Sequence, residues 1–491
     1  MNKIKVLLLL LFLMKSFSGF CYTIKEEILT LEQKIYGLSL FWKEASYNFA
    51  YFDQVKDLDW DATYISYLSE VTNTKNNFEY YRVLSKLAAE LHDGMTYVNI
   101  PEKLVRENVD FPGIKLAEAE NKAIIIAVED VLKDQIPLGS IVISVDNRTT
   151  FDVLEKDVFP YISSSTEHIK LDFAIKGSFT HGYGLLAGKP NTYVDIKLQL
   201  PDNTIKNIRL KRNLSDRNIN WHSFKDVASK DLENTDSVTG KLMGNDIFYV
   251  ALNNFSDIDL VEQFKAMIPQ MQSAKGLILD LRSNRGGNTI IVEDILKYLT
   301  FHDLIGAKSK MRIHNATFKA WGKFANDYQW AKKYENYFLG QAWVELPPDI
   351  ISSDDVDISD KNVVPTAILI SRNTSSSAEN FLIYADGAEH FTTIGEPTFG
   401  STGQPLIIDL PGGGSAKICT KRDSYADGRD FVGYGIKPDI YVARDISYYL
   451  SNNDLVLTTA LEFLKQKRTL SVTNELAKTF PLTGVQTMTH R

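Results

Sequence analysis

The stretch from Ala367 to Ala385, AILISRNTSSSAENFLIYA, constrains the fold more than any other part of the chain. It opens as an apolar run and passes through Thr374-Ser375-Ser376-Ser377. It then resumes with Ala378, Leu382, Ile383 and Ala385 at helical spacing, with Glu379 and Asn380 suited to a first turn. That order predicts a buried strand, a tight turn and a helix N-terminus. A serine in such a turn presents its hydroxyl at the end of a strand, beside the free N–H groups of the helix start, where negative charge is favoured. A strand–turn–helix nucleophile elbow uses this arrangement. So does an N-cap, in which a Ser/Thr cluster only satisfies orphan donors. Both readings are open on this stretch alone.

The surrounding pattern fixes the class. Strands at 247–251, 276–281, 365–371 and 391–395 alternate with helices at 259–272 and 290–298, which predicts an α/β core with crossovers and a largely parallel sheet. At 491 residues the chain exceeds one ordinary core, so two or three domains are expected. Residues 22–110 read as a helical region packing on the core: Leu38, Leu40, Phe41 and Ala45, then Tyr81, Leu84, Leu87, Ala88 and Leu91, recur at helical spacing. This region ends in a turn at Asp93-Gly94. From 111 to 213 short strands take over, at 123–128, 141–145, 169–173 and 193–198, separated by turns. Residues 174–191 read as an insertion or long loop, and 214–244 as a polar linker opening a catalytic domain that extends to 465. Residues 308–348 are aromatic and charged, either a lid over a cleft or a helical insertion. Residues 466–491 are expected to form a C-terminal tail.

Lys3 and Lys5 precede an apolar run from Val6 to Met14 that is too short to span a bilayer. Residues 1–21 therefore read as a secretory signal, with the protein exported to the periplasm or beyond the cell. No later segment is apolar enough to cross a membrane. Only Cys21 and Cys419 occur, so no disulfide framework is expected. The eight histidines are scattered, with no CxxC or HExxH, so neither a metal site nor a cofactor is expected. The net charge of −8, without long runs, argues against nucleic acid as the main partner.

A second stretch, Lys275 to Asn288 (KGLILDLRSNRGGN), sends a buried strand straight into an Asn-x-Gly-Gly turn, whose glycines permit positive φ and let backbone N–H groups face a ligand. "GLILDLRxNxGG", Asn373 to Glu379, Ile394 to Gly400 and Gly435-Ile-Lys-Pro-Asp439 follow one another in an order that resembles the tail-specific (C-terminal-processing, tricorn-like) serine proteases, in their secreted Bacteroidetes-type branch. Residues 136–147 resemble a PDZ core, a module that binds peptide termini by strand addition. The resemblance implies a mixed α/β fold: a helical N-terminal layer, a PDZ-like β-domain over 111–213 and an α/β crossover catalytic core over 214–465. It implies Ser376 as nucleophile, with Ser375 and Ser377 as neighbours. It also implies an oxyanion hole from the N–H groups of Ser377 and the Gly286-Gly287 turn, and a peptide or unfolded protein as substrate.

The same resemblance exposes gaps. The Ser–Lys branch carries Lys where this chain has Ser401; the tricorn-like branch carries His where it has Met95, and the orienting Glu where it has Val432. None of these side chains can serve as a base near neutral pH. His92, three residues before Met95, is the remaining candidate base, and a His at a helix end is often only a cap. The expected activity is a secreted serine peptidase impaired in its base; the alternatives are a catalytically silent peptide-binding relative, or a non-peptide esterase or ligand-binding protein on the same fold. The sequence leaves the oligomeric state open.

Overall fold

The computed structural model describes residues 28–215, 218–224, 236–244, 246–451 and 453–479, the last twelve of these as backbone only. The expected signal segment lies outside the described residues. The centre is a six-stranded sheet in the order Ile440–Tyr441, Phe391–Gly395, Thr366–Ile370, Gly276–Asp280, Ile247–Leu252, Val238–Met243. All neighbours are parallel except the edge strand Val238–Met243, which runs antiparallel to Ile247–Leu252. A parallel sheet covered on both faces needs apolar residues at successive positions. Gly276–Asp280 and Thr366–Ile370 supply this, being buried throughout. One face takes Ile278, Ala367, Leu369 and Ile394 against Val456, Ala460 and Leu464 of the terminal helix Leu455–Thr479. The other takes Leu277, Leu279, Ile368 and Ile370 into the main core, which is shared with the N-terminal helices.

Those helices are Leu31–Asn48, Trp60–Thr72 and Asn77–Ala89. Thr30, Asp59 and Asn76 cap them by accepting backbone N–H groups from Gln33, Ala62 and Glu79. Tyr81 ties the layer to the core: its hydroxyl donates to Pro411 O (2.7 Å) and accepts from Gly414 N (2.7 Å). The strand Tyr97–Asn99 then adds to the hairpin of Pro405–Asp409 and Ser415–Cys419.

The β-domain is built on Ile114–Ala119, Lys122–Glu129, Ile141–Val145, Tyr193–Gln199 and Ile205–Lys211, paired in that order and all antiparallel. It has its own apolar cluster around Ile125, Val142, Ala174 and Leu198.

Three expectations differ. Residues 169–173 are not a strand but part of the helix Glu167–Lys176. The alternation of Ile169, Leu171 and Phe173 looked like period two, yet the buried positions are Ile169, Asp172, Ala174 and Ile175, and Gly177 ends the helix at φ 75°. The 214–244 linker contributes two strands, Trp221–Ser223 on the β-domain and Val238–Met243 on the central sheet. The tail expected from residue 466 continues as helix to Thr479.

Candidate active site

Two loops leave the carboxyl ends of adjacent parallel strands, where open α/β sheets place their ligand crevices. The first follows Gly276–Asp280 and carries Asn284, Gly286 and Gly287; the second follows Thr366–Ile370 and carries residues 371–376, leading into the helix Ser377–Ala385. Hydrogen bonds stitch them together. Ser371 Oγ donates to Arg282 O (2.7 Å), Thr374 Oγ1 to Leu281 O (2.9 Å), and Ser375 N to Asn284 O (3.1 Å).

Ser376 sits at the turn with φ 55° and ψ −125°, a conformation that L side chains rarely adopt. Such a residue costs on the order of 1–3 kcal/mol and persists only where its surroundings over-determine it. Here they do. The Ser376 N–H is shared between the Glu379 carboxylate (3.2 Å) and Ser401 O (3.3 Å), and its carbonyl accepts from the N–H groups of Glu379 (2.8 Å) and Asn380 (3.1 Å). Ser376 is half-buried and forms a capping box with Glu379: its side chain faces the Glu379 N–H, and the Glu379 carboxylate accepts from the Ser376 N–H.

Glu379 is the fully buried anchor beneath this turn. It accepts from Thr398 Oγ1 (2.5 Å), Gly400 N (2.8 Å), Ser401 N (3.2 Å) and Ser376 N (3.2 Å). Burial pushes its carboxyl up to about 7 against the opposing pull of those four donors. The sequence marked Glu379 as a first-turn and motif residue, and an acid at the third position of a helix that begins with serine further signals a capping role.

Gly286 faces the serine closely: a Cβ there would lie 2.7 Å from Ser376 Cβ and 3.0 Å from Ser377 N. Its own N–H, however, donates to Asn284 Oδ1 (2.8 Å), while Asn284 Nδ2 donates to Leu252 O (2.9 Å). That removes the Gly286 N–H from the donors expected on the Gly-Gly turn, because buried Asn284 has claimed it. The N–H groups of Gly287 and Ser377 have no acceptor among the described residues.

The turn at 93–96 borders the same site. A Cβ on Gly94 would meet Phe399 at 2.6 Å and Ser401 at 3.3 Å. Asp93 is buried beneath it and accepts from Thr96 Oγ1 (2.7 Å), Ser165 Oγ (3.3 Å) and Ser401 Oγ (3.3 Å). Burial raises its pKa, while these hydroxyls and the Met95 N–H oppose the rise. Met95 is half-buried against the core that also encloses Val432. Gly433, next to Val432, donates to Gly400 O (2.9 Å). The segments bearing Met95, Ser401 and Val432, far apart in sequence, thus adjoin one another. His92 is turned elsewhere: it is exposed at φ 48°, and the charges acting on it are Lys170, Glu90 and Glu167. The base expected at His92 is therefore placed on the surface, and no His or Lys side chain hydrogen-bonds Ser376 among the described residues.

Arg372, four residues before the serine, reaches into the β-domain. It is buried and pairs with Glu396 (2.7 Å), Glu118 (2.5 Å) and Asp172 (3.1 Å). Burial opposes charge on Asp172, but Lys176 and Arg372 outweigh it and hold its pKa below the ordinary value.

Among the described residues no cluster of three or more His, Cys, Asp or Glu could hold a metal, and no helix is long and apolar enough to cross a membrane. Comparison with known proteins places this geometry. Residues 246–442 match the model of peptidase family S41. No curated protein matches the chain. The crystal structure of mature CPAF is 14% identical, with a TM-score of 0.65 over 90% of this chain and 97% of that one. A photosystem II D1 C-terminal processing protease is 18% identical over 87% of this chain and 96% of that one, at a TM-score of 0.44. A putative peptidase from Parabacteroides merdae is 18% identical over 89% and 97%, at 0.48. With both signature loops at the ends of adjacent strands, residues 246–442 resemble peptidase family S41, and the chain shares the fold of mature CPAF.

Proposed function

We propose that this chain is an exported peptidase in which Ser376 is the nucleophile, acting on unstructured or terminal segments of proteins. The observation that carries this reading is the strained backbone of Ser376. A plain N-cap adopts extended φ and ψ, whereas this serine is held at φ 55° with its N–H on a buried carboxylate. The Oγ attacks the scissile carbonyl. The unclaimed N–H groups of Gly287 and Ser377 would receive the oxyanion, and the peptide chain lies along the crevice at the strand ends.

Deprotonation is the weak step in this reading. Met95 and Val432 stand where the resemblance implies an imidazole and its carboxylate, and Ser401 where it implies an amine. General-base assistance contributes about 10²–10⁴-fold, so turnover is slow and the binding groove outlasts the chemistry. Fluorophosphonate labelling followed by intact-mass measurement tests the assignment. One adduct is expected, lost in Ser376→Ala. A chain that never labels yet still binds extended peptides is a silent peptide-binding relative instead.

A further inference from the structure

Between Lys308 and Phe338 the chain carries seven Lys and Arg against Asp327 and Glu335, a local charge of +5 (7 − 2) in a protein of net −8. The short helix Ala316–Gly322 and the turns Gln329–Tyr334 and Glu335–Phe338 present its aromatic residues outward. Trp321, Phe324, Tyr328 and Trp330 are 39%, 42%, 55% and 53% exposed. They form one continuous patch, with ring centroids 6.4 Å apart for Phe324–Tyr328, 6.1 Å for Tyr328–Trp330 and 6.5 Å for Trp321–Trp330. Large exposed apolar residues are ordinarily scattered, and a contiguous set marks an interaction surface. Lys319, Lys323 and Lys333 border it, and none has a carboxylate within ion-pair distance among the described residues.

We infer that this face docks on an anionic phospholipid surface. Two features select that partner. Trp and Tyr rings with a polar end, set among lysines, have the composition that settles at the headgroup boundary. The local positive charge complements an anionic leaflet, whereas a two-fold dimer through this patch would set +5 against +5. Trp321 and Trp330 insert their rings, and the three lysines that lack a carboxylate partner hold the surface. The reading is independent of whether Ser376 is catalytic.

Co-sedimentation of the purified protein with phosphatidylcholine vesicles, with and without phosphatidylglycerol, tests it. Binding is expected only to the anionic vesicles, with a blue shift of tryptophan emission and weakening as salt rises. The triple change Lys319→Gln, Lys323→Gln, Lys333→Gln should lower the partition coefficient by up to about 100-fold. Trp321→Ser with Trp330→Ser should abolish the blue shift, and an unchanged far-ultraviolet circular dichroism spectrum shows that the fold is kept although Trp321 also packs on Phe318 and Tyr334. Equal binding to neutral vesicles, or no binding to either, overturns the proposal. So does a concentration-dependent dimer that Trp321→Ser removes in the absence of lipid affinity, which would assign the patch to a second copy.

Discussion

Replacing Gly286 by Ala should damage the serine turn directly, because nothing soft stands in the way of the new methyl group. The added Cβ would lie 2.7 Å from Ser376 Cβ, 2.8 Å from Ser375 O and 3.0 Å from Ser377 N, all parts of one rigid turn. Ordinary contact begins near 3.4 Å, so the two loops must part by about 0.7 Å (3.4 − 2.7). Gly286 also has φ 93°, which adds backbone strain for any L residue. Overpacking of about 1–3 kcal/mol and strain of similar size together predict a loss of roughly 2–6 kcal/mol in stability. A displacement approaching 1 Å at a reacting group costs up to about 10²-fold in rate. Urea denaturation reads the first quantity, and the second-order rate of fluorophosphonate labelling reads the second. Gly387→Ala, where a Cβ meets nothing within 4 Å, is the control and should change neither. A Gly286→Ala protein with wild-type stability and labelling rate would refute the close approach of the two loops.

Other expectations can be checked alongside. Met95→His should raise kcat/KM for peptide cleavage, and adding Val432→Glu should raise it further, within the about 10²–10⁴-fold available to a general base. Wild-type activity that already equals the double variant and dies with His92→Ala would overturn this. Arg372→Met leaves Glu118, Asp172 and Glu396 without their shared cation and should cost about 3–5 kcal/mol in denaturation experiments; a loss under 1 kcal/mol would mean water already reaches them. Glu379 has a folded pKa of about 7 against an ordinary 4.5. The stability it confers is therefore full below the ordinary range and is lost as pH rises through about 7, by roughly 3 kcal/mol. Glu379→Gln should flatten that fall, and an unchanged slope would show that the carboxyl is not its source.

The central sheet was legible because its strands are apolar at successive positions and punctuated by helices at 3.6 spacing. Burial on two faces leaves that mark on any sequence. Ser376 and the Asn-x-Gly-Gly turn were legible as local turn chemistry. The helix at 167–176 was not, because three alternating apolar residues imitate a strand while buried Asp172 breaks the apolar stripe. The fate of the Gly286 N–H was hidden for a different reason. Whether a backbone group is free depends on what Asn284 does with its amide, and Asn284 was settled in turn by Leu252. His92 and Met95 are three residues apart, but the turn sends the former to the surface, which spacing alone does not reveal.

The bond from Ser401 to Asp93 spans 308 residues of chain, and the segment beside Gly400 comes from Val432 and Gly433. An emerging polypeptide therefore holds Ser376 before these later segments exist. The groups that fix the turn itself lie within 25 residues (401 − 376), whereas the loop-closure entropy of the long contacts must be met before Ser401 is seated on Asp93. On the proposed reading, a chain truncated before residue 400 keeps Ser376 but lacks Gly400 and Ser401, and its fluorophosphonate labelling should be lost.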